Sequence, residues 1–389
     1  MDPVSSVPSN DRGDANLMHA AATGRRIDGF DGIRGLATLM VVFYHLTVDF
    51  FPRPGFVPLP PDWTLKGAYV AVDLFFVLSG YLVTTLAFRD QDSAGGGFPV
   101  RQFYWRRAVR VFPALAFFAF GHVVYALLAG LSKRGEVASL SLAFGGLINY
   151  AWLFPHVTLN DGVVHLWTLS IELQFYLALP LIVVLLSHRR PTRSFLILMA
   201  AMVGVAAWRN HLWSEGVLGP YLLTRTDTHA DSVLAGVALA YLWPLIKHLP
   251  TRLFSTVGWV GLLGWSFIAL RFGLSDPATY KLGFTVAAVL STWMLMAILS
   301  DTGPACIFRF RPFVAVGKVS YGFYIWHVMV FRGFVRWGGD LPTALQVTGA
   351  VLVTAAFTAV SWNLIEKPAI RYFRKRHHVT NSTLTTARA

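Results

Sequence analysis

The sequence predicts an all-α fold, a polytopic membrane bundle of about ten transmembrane helices with both termini cytoplasmic. Three observations predict it. Of 389 residues, 55% are hydrophobic and only 14% charged, and the mean hydropathy is +0.53, far beyond what one water-soluble core needs. Apolar runs of roughly 15 to 22 residues, the length that crosses a bilayer as helix, recur from residue 36 to residue 365. Lys and Arg then fall mostly on alternate loops, as retention of positive charge on the cytoplasmic side requires. The ten-residue alternating segments of a transmembrane β-barrel are not visible.

Residues 1–24 are rich in Ser, Pro, Asp, Asn and Ala and lack the apolar centre of a signal peptide. They are expected as a disordered cytoplasmic tail, so the first helix is its own insertion signal. Residues 25–375 form the membrane domain, with spans expected at 34–50, 67–87, 111–131, 166–187, 194–209, 230–246, 253–270, 282–300, 314–333 and 344–365. Residues 376–389 form a basic and polar cytoplasmic tail. With the N-terminus inside, 23 of the 33 Lys and Arg lie on the cytoplasmic side and 10 outside, the inner set holding HRRPTR (188–193) and RYFRKRHH (371–378). The stretch 137–155, with SLSLAFGGLINYAWLF in its middle, is apolar enough to be an eleventh span. Crossing there would invert every later loop and leave 15 inside against 18 outside. It is therefore expected as a re-entrant or interfacial element of an outer loop of about 35 residues.

The net charge of +13 is thereby a matter of topology, and nucleic acid is not needed as a partner. The single cysteine, Cys306, excludes an internal disulfide and a thiolate metal cluster. The histidines and acids show no H-E-x-x-H spacing, so no metal is expected, and neither a P-loop nor a strand-linked G-x-G-x-x-G is present. Ser79, followed by Gly80 in LSGY, reads as a small-residue helix contact rather than a nucleophile.

Ionisable residues inside the spans carry the chemistry. In RGLATLMVVFYH, Arg34 and His45 are eleven positions apart, three helical turns plus about 20°, so they share one face at roughly 16 Å along the axis. Arg34 sits at the cytoplasmic rim and His45 in the outer half. A lone histidine there would read as a packing residue. It has company: Asp73 on the second span, Glu172 on the fourth, Asp231 at the start of the sixth and His327 on the ninth fall in the same outer layer. Ionisable groups in a membrane are costly and face the bundle interior with partners, so a shared layer points to one polar cavity. A second layer lies at the cytoplasmic rim: Arg34, then Arg106, Arg107 and Arg110 of FYWRRAVRVFP, and Lys318 of VGKVSYG. Positive-inside flanking accounts for many of these, yet Arg107 and Arg110 are three apart on one helical face and suit a phosphate.

The ordered motifs RIDGFDGIRGLATLMVVFYH with its R-x10-H element, VDLFFVLSGYLVT, FYWRRAVRVFPAL with R-x-x-R, HLWTLSIELQFYLALP, GKVSYGFYIWH and IEKPAIRYF identify a resemblance. The chain is similar to the acyltransferase 3 family of membrane acyltransferases over about residues 26–375. Leu173 stands where the family often has Glu or Trp in S-x-E-x-Q, with Glu172 and Gln174 kept. The resemblance implies ten spans, a bacterial cytoplasmic (inner) membrane, and transfer of an acyl group to a hydroxyl of a carbohydrate or lipid-linked glycan. The donor it implies is acetyl-CoA. Some relatives carry a fused extracytoplasmic SGNH-type domain; with about 24 residues after the tenth span, none is expected here, and whether a separate extracytoplasmic partner completes transfer stays open.

The mechanism expected from both readings places the phosphates of acetyl-CoA near Arg107, Arg110, Arg34 and Lys318, its pantetheine arm running up the bundle between the two layers. His45 acts as general base on the acceptor hydroxyl, or is itself acylated transiently, and is oriented by Glu172 or Asp73. Trp167, Tyr324 and Trp326 stack on the sugar, with Asp231 and His327 completing the acceptor side. The alternatives are acylation of a small acceptor such as a macrolide, and a secondary transporter using Asp231 and His327 as a proton relay, against which stands the lack of an internal repeat.

Overall fold

The computed structural model describes residues 28–51, 65–154, 156–160 and 162–373. The two tails expected at 1–24 and 376–389 lie outside the described residues, as does most of the RYFRKRHH cluster. In chain order the helices are α1 Asp28–Tyr44, α2 Val70–Ser93, α3 Val100–Leu128, α4 Lys133–Gly145, α5 Trp167–Leu185, α6 Pro191–Ser214 and α7 Gly219–Thr224. They continue as α8 Thr226–Ile246, α9 Thr251–Arg271, α10 Phe284–Leu299, α11 Ala305–Phe308, α12 Arg311–Lys318, α13 Ser320–Trp337 and α14 Thr343–Val360. Wider π turns extend α1 through His45–Phe50, precede α10 at Thr279–Gly283 and follow α14 at Ser361–Glu366.

Among the described residues nine helices are long and apolar enough to cross a membrane, and ten if the pair α12 and α13, bent by 75° at its break, counts as one. The chain is a multi-pass membrane protein. The helices fall on all ten expected spans, with two differences of outline. α3 begins at Val100, eleven residues before the expected start, because the basic stretch WRRAVR continues the same helix rather than forming a loop. The ninth expected span is broken at Val319, whose backbone (φ −115°, ψ 12°) leaves helical geometry after Gly317 and Lys318. The stretch 137–155 forms no spanning helix. Ser132 caps α4 by accepting from the Gly135 N–H, the helix stops at Gly146 in the left-handed region (φ 65°), and a short 3₁₀ turn, Ile148–Leu153, follows.

The chain divides into two compact units, one made of residues up to Arg89 with Leu181–Ser320, the other of Asp90–Pro180 with Tyr321 onward. In the first unit, backbone contact sets the spacing. A Cβ at Gly317 of α12 would overlap the Asp31 carbonyl of α1, and one at Gly35 would overlap the Phe313 carbonyl. Lipid gives apolar helices no reason to prefer one another to the solvent, so close approach at glycine supplies the dispersion contact instead. The same device joins α2 and α8: a Cβ at Gly80 would overlap the Val233 carbonyl, and one at Gly236 the Val77 carbonyl. The LSGY element is thus the helix contact that its small residues suggest. In the second unit α3 packs on α4 and on the π turn after α14.

Candidate functional site

In the first unit, His45 opens the π turn at the end of α1. Its Nδ1 lies 2.6 Å from Asp49 Oδ2, and its ring meets Tyr44 edge-on at 5.6 Å and Phe50 at 6.4 Å. Both partners of the pair are partly open, with 22% of the His45 side chain and 41% of the Asp49 side chain exposed. Arg34, three turns earlier on α1, lies 3.5 Å from Asp31. Lys318 ends α12, the helix that the glycine contact holds against α1, and is exposed.

The α2–α8 crossing places a second histidine. Asp73 stands two turns before Gly80, and His229 the same two turns before Gly236, so parallel helices in contact at the glycines bring them together. His229 Nε2 lies 2.8 Å from Asp73 Oδ1, and the Ser232 hydroxyl donates to the same oxygen at 2.5 Å. His229 Nδ1 is 2.7 Å from the Leu223 carbonyl. Both ring nitrogens therefore face acceptors, and one shared proton lies on the line to Asp73. All three side chains are buried, and Asp73 Oδ2 has no hydrogen-bond partner among the described residues.

Asp231, the residue before Ser232 on α8, is also buried, and its Oδ2 accepts from Arg209 Nη1 at 2.9 Å and from the Thr285 hydroxyl at 2.6 Å. Arg209 is fully enclosed. Its other N–H groups donate to the Thr228 carbonyl (2.6 Å), the Tyr280 carbonyl (2.8 Å) and Thr285 (2.7 Å), and its guanidinium lies over the Phe284 ring. The Tyr280 carbonyl is available because the π turn at Thr279–Gly283 interrupts the α-helical ladder; Asn210 donates to the next one, Lys281, at 2.8 Å.

In the second unit, the basic stretch of α3 divides its arginines among three environments. Arg106 pairs with Asp90. Arg107 is 9% exposed, lies over the Tyr176 ring at 5.5 Å and the Phe103 ring at 5.8 Å, and its Nε has no hydrogen-bond partner among the described residues. Arg110, one turn on, is exposed. Tyr176 donates to Glu172 Oε1, so α5 carries that carboxylate onto the ring over which Arg107 sits.

Nearby on α5 and α13, Tyr324 Oη lies 2.5 Å from the Thr168 hydroxyl and donates to the His165 carbonyl. His327 Nδ1 donates to the Tyr324 carbonyl at 2.6 Å, and its ring meets His165 at 5.2 Å. Trp167 is half-buried at the start of α5. Trp326 is wholly enclosed, stacked on Phe357 at 4.6 Å and touching Phe117 and Phe118. A third histidine pair stands on α3 and α4: His122 Nδ1 lies 2.9 Å from Glu136 Oε1, and Asn160 Nδ2 donates to Glu136 Oε2 at 2.8 Å.

The acyltransferase domain family matches the chain over residues 27–366, which contain every one of these groups. The chain belongs to the acyltransferase 3 family. Among curated relatives, the O-acetyltransferase OatA of Staphylococcus aureus (strain NCTC 8325 / PS 47) is 26% identical over 367 residues, covering 88% of this chain and 57% of the relative. The peptidoglycan O-acetyltransferase OatA of Listeria monocytogenes serovar 1/2a is 29% identical over 320 residues, covering 77% of this chain and 49% of the relative. The chain thus spans about half the length of the curated relatives it matches. No solved structure matches it.

Acyltransferase 3 motifs take on separate duties once their contacts are known. In S-x-E-x-Q, Ser170 and Gln174 are one turn apart on the same face. Ser170 accepts from the Ile148 N–H at 3.2 Å, and Gln174 donates to the Gly146 carbonyl at 2.7 Å and to Asn149 at 3.0 Å, so both pin the turn after α4. Glu172, between them, faces away and receives Tyr176. In the terminal IEKPAIRYF motif, Glu366 Oε1 accepts from Ser361 at 2.9 Å, beside Gly322 of GKVSYGFYIWH.

Sequence reasoning named His45, Arg34, Asp73 and Asp231 but not the groups against them. Asp73, expected as a carboxylate for His45, is engaged by His229 and Ser232, and the carboxylate against His45 is Asp49. The H-x-x-x-D spacing in HLTVD was the available sign, since residues four apart meet on a helix. Arg209 and His122 had no such sign: the first reads as a flank of the fifth span, and the partner of the second is across a loop.

Proposed function

We propose that this chain is a membrane O-acyltransferase that moves an acetyl group from acetyl-CoA to a hydroxyl of a cell-wall or cell-surface glycan at the bacterial cytoplasmic membrane. The observation that carries the reading is the family match over residues 27–366, a range that includes the His45–Asp49 pair and the buried Arg107. The two relatives are named O-acetyltransferases, one of them for peptidoglycan, which supports acetyl as the group and a glycan as the acceptor.

The chemistry follows from the side chains. Among the described residues the Arg107 Nε–H has no hydrogen-bond partner in an almost closed setting, and Arg110 offers an exposed guanidinium one turn away, an arrangement within the second unit suited to a phosphate of the donor. With Nδ1–H directed at Asp49, the basic lone pair of His45 is on Nε2. It accepts the proton of the acceptor hydroxyl as that oxygen attacks the thioester carbonyl. The new C–O bond forms, the C–S bond breaks, and the departing thiolate takes the proton back from the imidazolium. Glu172, and the half-buried Trp167 and Tyr324, belong to the acceptor side of this proposal.

The test is CoA thiol release and labelled acetyl transfer by the full chain in nanodiscs, with acetyl-CoA and soluble peptidoglycan strands. Turnover that is lost in His45→Gln, together with weakened donor binding in Arg107→Gln, supports the proposal. Wild-type protein that neither binds nor consumes acetyl-CoA overturns it.

A further inference from the structure

The end of α1 is built to hold one imidazole in one orientation. In an ordinary α-helix, residue i+4 lies over residue i, whereas i+5 lies well round the cylinder. Here the Phe51 N–H bonds to the Leu46 carbonyl, the i→i+5 pattern of a π turn, and both i+4 and i+5 flank His45. Asp49 meets Nδ1 at 2.6 Å and Phe50 meets the ring at 6.4 Å, while Tyr44 closes the other side edge-on at 5.6 Å. The Thr47 hydroxyl donates back to the Phe43 carbonyl one turn earlier at 2.8 Å. π turns occur as single interruptions in α-helices and concentrate where function requires an altered side-chain direction.

We infer that Asp49 is the positioning residue of the acyl transfer: its carboxylate fixes His45 as the Nδ1–H tautomer, turns Nε2 toward the acceptor hydroxyl, and stabilises the imidazolium formed during transfer. The inference rests on the reading of His45 as general base and adds the group that makes it one. An ionised carboxylate can only accept, so the nitrogen 2.6 Å from it carries the proton. The pair is local to one turn of one helix, so its geometry is set by the backbone and survives changes elsewhere in the unit. Asp49 does not touch the reacting atoms; it acts through the ring, in the way the carboxylate of a hydrolase triad acts through its histidine.

Two measurements on the full chain in nanodiscs test the inference. The first is ¹⁵N NMR of histidine-labelled protein, with the His45 signals identified by their loss in His45→Gln. The expected result is protonation at Nδ1 in wild type and a shift of the proton population toward Nε2 in Asp49→Asn. A wild-type ring protonated at Nε2, unchanged by Asp49→Asn, overturns the inference whatever the activity. The second is steady-state turnover of acetyl-CoA with soluble peptidoglycan strands. Asp49→Asn is expected to lower kcat by about 10²-fold with the KM for acetyl-CoA little changed, and Asp49→Glu to restore a large part of it. If His45→Gln abolishes turnover while Asp49→Asn keeps the wild-type kcat, His45 remains the base and Asp49 is not its positioning residue. If His45→Gln turns over like wild type, the base assignment itself fails and the inference falls with it.

Discussion

Two acid–base pairs of the first unit use similar residues to opposite ends. Arg209–Asp231 is wholly buried, with the guanidinium donating to four oxygens on three segments and resting on Phe284. His45–Asp49 lies within one turn of one helix and is partly open. The donors of an arginine so enclosed are committed, so the pair ties α6 and α8 to the π turn before α10. A partly exposed imidazole held at Nδ1 by a carboxylate is a group that can take a proton and return it. Burial and the number of partners, more than residue type, separate a structural pair from a chemical one.

Substitutions can break that comparison at either end. Arg209→Met leaves Asp231 as an uncompensated buried charge and is expected to destabilise the protein by about 3–5 kcal/mol, seen as a lowered thermal unfolding midpoint in nanodiscs. The double variant Arg209→Met with Asp231→Leu recovers much of the loss, because it removes both charges. A single variant as stable as wild type would show that Arg209 is not the tie described. At the other end, His45→Gln is expected to cost about 10²- to 10⁴-fold in turnover while leaving the unfolding midpoint near that of wild type. A large drop in both would place His45 among the structural groups instead.

Smaller effects sharpen the same distinction between framework and chemistry. Gly317→Ala forces a methyl against the Asp31 carbonyl and pushes α12 from α1, with an expected cost of about 1–3 kcal/mol. Donor affinity should weaken alongside stability if Lys318 reaches its ligand through that contact, which calorimetric titration with CoA reads directly. Gln174→Leu removes two hydrogen bonds that pin the turn after α4 and is expected to cost about 1 kcal/mol. Limited proteolysis should then cut the 146–153 segment faster, with turnover per folded molecule changed far less than in Glu172→Gln. Equal losses in the two variants would mean that the whole motif is framework.

The span count was legible because hydropathy is a local property. Helix length, the apolar runs and the low charge content predicted ten crossings, and the helices fall on each of them; the glycine of LSGY likewise announced close contact. The break at Val319 and the early start of α3 at Val100 were not legible, since a kink after a glycine and a helix carrying arginines depend on what packs beside them. α1 is a regular α-helix through Tyr44, and the π turn that opens at His45 decides which residues the ring meets.

What the sequence determined by itself, then, is the class of molecule, its spans, its family and the identity of most ionisable groups within the membrane, because each follows from composition, period or an ordered motif. Only the tertiary structure decided which groups are partners: Asp73 with His229 across the glycine crossing of α2 and α8, Asp231 with Arg209, and Ser170 and Gln174 with the turn after α4. The physical reason is the cost of a charge in a low-dielectric setting. Every such group must find a donor or acceptor within about 3 Å, and that search is settled by helix packing between positions as far apart in the chain as residues 73 and 229.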